Sequence, residues 1–207
     1  MISKDDTELI AKLPEAGFLK RILIKDDTNL AKEIRVISLN CNRIETIEDG
    51  HKLTGVQTLV GNDCRLNDIP EGLETLQALK AIELQRNDLH ELPARLMQMA
   101  TLQTVDASEN PGLQTISTGE SLKEINIQKC DILSLPSDFF QHNLEKVVMW
   151  ENKNLRLLPS PGKNLKELIA NDCNIQDLPK DFFQHALQMV DIRNNKGEKS
   201  CNSIDKR

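Results

Sequence analysis

Eight successive copies of one short pattern run through this chain, and no other feature restricts its folding as much. Aligned on Leu-x-x-Leu-x-Leu-x-x-Asn/Cys, the units begin at Ile34, Val56, Leu79, Leu102, Leu122, Leu144, Leu165 and Leu187, with spacings of 20 to 23 residues. The fourth position is aliphatic in every unit: Ile37, Leu59, Ile82, Val105, Ile125, Val147, Leu168 and Val190. Seven units add a later aliphatic residue, Ile47, Ile69, Leu92, Ile116, Leu135, Leu158 or Leu178, five times followed by Pro. A unit of this length has room for one short strand and a return segment. Neither buries its apolar side alone, so neighbouring units must stack into one continuous core. The units starting at Leu102 and Leu144 carry one extra turn residue, within NPGL and NKNL.

With aromatics at 3%, no Tyr and a single Trp, that core has to be aliphatic. The pentapeptide DFFQH occurs twice, at Asp138–His142 and Asp181–His185, at the same phase of two units. Its Phe residues are therefore expected to fill the return side of the core. His142 and His185 have no paired nucleophile and are not expected to act in catalysis. A net charge of -6 argues against nucleic acid as the main partner. No apolar run reaches the length of a membrane span and the first residues lack a secretory apolar region, so a cytoplasmic protein with no membrane partner is expected. Five Cys without a close CxxC pair suit reduced thiols better than disulfides or a metal site.

Eight copies in phase resemble the leucine-rich-repeat family over residues 34–197. The resemblance implies an α/β solenoid, a curved right-handed arc with a parallel sheet on its concave side. It also implies that the ninth position, Asn42, Cys64, Asn87, Asn110, Cys130, Asn152, Cys173 and Asn195, forms a buried ladder satisfying backbone groups. Cys41 lies one position earlier, and Cys201 falls in the tail. Residues 1–33 are expected to cap the first unit, with an amphipathic helix over Asp5–Gly17 followed by an edge strand within Leu19–Ile24. Residues 198–207 read as a polar, flexible tail.

Positions three, five, seven and eight of each unit point outward from the concave sheet in this fold. The sole Trp, Trp150, stands at position seven, with Val148, Ile169 and Met189 on its own or following strands. Glu151, Glu167, Asp172, Asp191 and Arg193 rim this cluster, with Lys146 on its N-terminal side. An accessible Trp in an apolar patch ringed by charge has the anatomy of a protein-binding hot spot; the alternative is that Trp150 folds onto its neighbours. A second surface, Glu83, Asp106, Glu109 and Glu124, suits a basic partner. There is no Gly-rich phosphate loop, paired-His metal motif or nucleophile elbow, so no catalytic, cofactor or metal residue is expected. The sequence thus reads as a monomeric, non-enzymatic module that binds a protein on its concave face. The resemblance implies three settings: a bacterial effector delivered into a host cell to act on a host protein, a eukaryotic regulatory subunit or scaffold, or the substrate-recognition part of a larger enzyme such as a ubiquitin ligase.

Overall fold

The computed structural model describes residues 2–3, 9–12, 21–23, 32–39, 41–184 and 187–196. Strands β1 (Ile2–Ser3), β2 (Leu9–Lys12) and β3 (Arg21–Leu23) precede the repeats. Each repeat then contributes one strand to a main sheet: β4 (Ile34–Ser38), β6 (Thr58–Val60), β7 (Ala81–Glu83), β9 (Thr104–Asp106), β11 (Glu124–Asn126), β12 (Lys146–Val148), β13 (Glu167–Ile169) and β14 (Met189–Asp191). These eight strands are parallel and neighbours in chain order, because each return segment brings the chain back beside the strand it left. The fourth-position residues face one another in an unbroken row, Ile37 to Leu59 to Ile82 to Val105 to Ile125 to Val147 to Leu168 to Val190. All eight are buried. Side chains on a strand alternate between faces, so this row fixes positions three and five on the opposite, open face.

Shorter pairings line the return side: β3 with β5 (Thr46–Glu48), and β8 (Glu91–Leu92) with β10 (Thr115–Ile116). Phe139, Phe140 and Phe182 are fully buried here, with Phe139 and Phe140 in edge contact at 5.4 Å between centroids. The aromatic pairs do fill the return side, although Phe183 stays 39% exposed. His142 sits 3.6 Å from Asp138, while His185 lies outside the described residues.

The expected solenoid with its parallel sheet is present, its α/β label is loose, and one expectation about the cap is corrected. Helix is confined to residues 32–33, the single turn Ala94–Met97 and three 3-10 turns among the described residues, so an α/β description overstates it and the architecture is a β-solenoid. At the N-terminal end, Leu9–Lys12 is not helical but forms β2, parallel to β4, and β1 pairs antiparallel with β2. The bare edge of β4 offers a row of backbone donors and acceptors, which a strand satisfies and a helix does not; Pro14 further opposes a helix through this segment. The segment expected as an edge strand, β3, pairs with β5 on the return side, so β2 and β3 together imitate one further repeat. The rest of that region and the tail from residue 197 lie outside the described residues.

The ladder at position nine explains why three of its members are Cys. Asn87 Oδ1 accepts from the N–H groups of Cys64 and Leu66 in the preceding turn, both at 3.0 Å, while its Nδ2 donates to the carbonyls of Gly61 and Leu84. Asn110, Asn152 and Asn195 likewise accept from Leu89, Ile132 and Ile175 of the preceding unit. In the three units that precede a Cys, the equivalent N–H turns inward instead. Ile44, Leu113 and Leu155 donate to the carbonyls of Asn42, Asn110 and Asn152 in their own turns. Leu113 and Leu155 end the two turns with the inserted residue, whereas the turn at Ile44 closes without one. The next ladder residue then needs only a donor, and Cys130 and Cys173 supply one to the carbonyls of Ala107 and Met149 at 3.4 and 3.2 Å.

Candidate interaction surface

Just past each strand the chain must turn away from the sheet within one residue, and it does so through a left-handed backbone at position eight. Cys41, Asp63, Arg86, Glu109, Lys129, Glu151, Asp172 and Asn194 all have φ between 53° and 59°. None is Gly, so each unit accepts a modest conformational cost and gains a side chain held at the rim of the open face. These side chains bond along the solenoid. Arg86 grips Asp63 through two contacts of 2.7 Å, Lys129 lies 3.8 Å from Glu109, and Asn194 donates to Asp172 at 2.9 Å. A second set of links joins positions five and seven: Asn62 donates to Glu83, and Gln85 and Asn126 donate to Asp106. The sequence reading missed this lattice; the signal for it was the sign alternation of Asp63, Arg86, Glu109, Lys129 and Glu151 at one repeat position.

The apolar cluster assembles in part. Val148 on β12 faces Ile169 on β13 and then Asp191 on β14, while Lys146, Glu167 and Met189 form the row before it. Val148 and Ile169 are half-buried and Met189 is 45% exposed. Trp150, expected to be largely accessible, is half-buried. The Lys129 ammonium sits 5.1 Å from its ring centroid, drawn there because the left-handed turn at Lys129 aims its side chain along the rim between Glu109 and the indole. The cation covers one ring face and supplies a cation–π contact. The rim charges are also engaged: Arg193 clasps Asp191 through two contacts of 2.7 and 2.9 Å, and Lys146 pairs with Glu167 at 3.2 Å. The hydrogen bond from Arg193 holds the Asp191 carboxyl below its ordinary range; hydrogen bonds from Asn194 and Asn171 do the same for Asp172. Glu151 is half-buried at the rim.

On the return side the structure exposes two leucines that the sequence reading passed over, Leu133 at 49% and Leu157 at 65%, beside a depression of about 600 Å³.

No family model matches the chain, and no curated protein matches it. Solved structures do. The leucine-rich repeat domain of the type III effector XopL superposes with a TM-score of 0.55 at 21% identity, covering 72% of this chain and 64% of that domain. Toll, in the Toll–Spatzle complex of Drosophila, gives a TM-score of 0.61 at 18% identity, over 84% of this chain and 29% of Toll. The chain has the leucine-rich-repeat fold. TLR13, solved with ssRNA13, gives 0.49 at 17% identity over 82% of this chain. The chain thus spans less than two thirds of each of these proteins.

Leucine-rich-repeat stacking also sets the chemistry of the thiols. Desolvation pushes Cys64 and Cys173 up to about 11 and Cys130 up to about 12, so all three are protonated at neutral pH. They are free and buried, spread along the ladder of separate repeats, and Cys41 is free and exposed. Among the described residues, no group of three or more His, Cys, Asp or Glu side chains is placed to hold a metal ion.

Proposed function

We propose that this leucine-rich-repeat chain is a non-enzymatic protein-interaction module that engages a protein partner through the open face of its main sheet, centred on Trp150, Val148, Ile169 and Met189. One observation carries the reading: the open face sets Val148 and Ile169 side by side on adjacent strands, with Met189 exposed in the neighbouring row of the next strand and Trp150 at the rim. Such a patch lies outside the solenoid core and has the anatomy of an interface anchor. Toll, which shares this fold, is seen in complex with the protein Spatzle. XopL, whose repeat domain shares this fold, is a type III effector, and an effector acting on a host protein is the setting we propose.

The test is cross-linking capture from a eukaryotic lysate with wild type, Trp150→Ala and the return-side control Leu157→Ser. A specific partner retained by the control and lost with Trp150→Ala supports the assignment, with binding weakened by about 2 kcal/mol or more. Because the indole is already half-buried, removing its cation–π contact with Lys129 should cost about 0.5–1 kcal/mol of stability. Equal capture by Trp150→Ala, with loss in Leu157→Ser, would move the interface to the return side.

A further inference from the structure

The charge balance of the open face constrains what a partner seated there carries. Positions three, five, seven and eight hold four basic side chains among the described residues, and every one is already paired within the face: Arg86 with Asp63, Lys129 with Glu109, Lys146 with Glu167 and Arg193 with Asp191. Among the described residues at these positions, no basic side chain stands outside such a pair. Glu83, Asp106, Glu124 and Glu151, by contrast, make no ion pair among the described residues, although Lys146, paired with Glu167, stands opposite Glu124 on the next strand and Arg86, paired with Asp63, feels the charge of Asp106. Asp106 is fixed by four neutral hydrogen bonds, two from Ser108 and one each from Gln85 and Asn126, which orient its carboxylate without cancelling its charge. Asp106 and Glu124 stand on adjacent strands beside a depression of about 350 Å³ that Val148 also lines. The site therefore offers two carboxylates and the apolar Val148 side chain, with Lys146 on its far side already held by Glu167, which suits the methylene stem and terminal cation of Lys or Arg.

We infer that the occupant of the open face is a basic protein segment whose Lys or Arg side chains meet Glu83, Asp106 and Glu124 while an apolar side chain seats on Val148 and Ile169. The two contact zones lie one to four strands apart, so its cationic cluster and its apolar anchor are separated by roughly 5–20 Å. This inference rests on the open-face interaction reading and specifies the partner it requires. Opposite charge of this kind steers association and is weakened by salt.

Random 16-residue peptides displayed on phage, selected on the immobilised chain, test it without knowledge of the natural partner. Selected peptides should be enriched in Lys and Arg together with an apolar residue. In fluorescence titrations their affinity should fall about tenfold or more in the isosteric triple variant Glu83→Gln, Glu124→Gln, Glu151→Gln, and again when salt is raised. None of these three carboxylates is buried, so the variant should keep the wild-type melting temperature. Selected peptides without a basic excess, undiminished affinity in the triple variant, or tighter binding of a single-stranded RNA oligonucleotide would overturn the inference. If such non-basic peptides are still lost with Trp150→Ala, the open-face reading survives; if neither variant affects them, or no peptide is selected, both fall.

Discussion

Removing the Asn87 side chain should damage the solenoid more than its size suggests. Its carboxamide is buried and makes contacts in two directions: it accepts from Cys64 N–H and Leu66 N–H, and it donates to Gly61 and Leu84 carbonyls at 2.8 and 2.9 Å. In Asn87→Ala both donors lose their acceptor in a region closed to water. Each orphaned buried donor costs about 1–3 kcal/mol, and carbonyls tolerate loss better, so a total of about 2–4 kcal/mol is expected. With a slope of roughly 2–3 kcal/mol per molar, the urea midpoint should fall by about 1 M. Asn87→Cys sharpens the test. A thiol donates a hydrogen bond but accepts only weakly, so the Cys64 and Leu66 N–H groups would lose the acceptor that Asn87 Oδ1 gives them. The Cys variant should therefore lose nearly as much as the Ala variant. A midpoint at the wild-type value in either variant would refute this account of the ladder.

Iodoacetamide at pH 8 followed by peptide mass analysis should label Cys41 in the folded protein and leave Cys64, Cys130 and Cys173 unmodified until urea is added; labelling of Cys130 in native protein would contradict a thiol pushed up to about 12 by burial. Because Asp191 is held below its ordinary value of 3.8 by Arg193, its contribution is present above that pH and lost as pH falls below it. Asp191→Asn should accordingly lower the melting temperature at neutral pH, by an amount worth less than about 1 kcal/mol at this part-exposed pair, and flatten the acid side of the profile; an unchanged profile would show the pair to be idle. Gly72 has φ 81°, and a Cβ there would stand 2.1 Å from the Ile47 carbonyl oxygen, so Gly72→Ala should destabilise by about 2 kcal/mol or more in a urea titration. Wild-type stability in that variant would mean the turn can be rebuilt.

The sheet was legible in the sequence because every repeat solves the same packing problem. A row of eight aliphatic residues at position four has one arrangement that buries them all, and the strand pairing follows that row residue by residue. The N-terminal cap was misread because its local pattern, Leu9, Ile10 and Leu13, suits a helix, whereas the unpaired edge of β4 recruits Leu9–Lys12 as a strand. Tertiary demand outweighed local preference there. The accessibility of Trp150 was misjudged for a related reason: its cover comes from Lys129, 21 residues earlier in the chain, and only the left-handed turn at that residue directs the ammonium onto the ring. The alternation of charge at position eight was present in the sequence, but its pairing depends on a backbone angle that residue types such as Arg and Glu do not advertise.

The open face is tested most directly by amide and methyl NMR of the labelled chain, titrated with a peptide selected from the display experiment. Resonances of Val148, Ile169, Met189 and the Trp150 indole should shift together with the amides of Asp106 and Glu124, while Leu133 and Leu157 on the return side stay in place. Shifts confined to Leu133 and Leu157, with the Trp150 indole unmoved, would contradict the account.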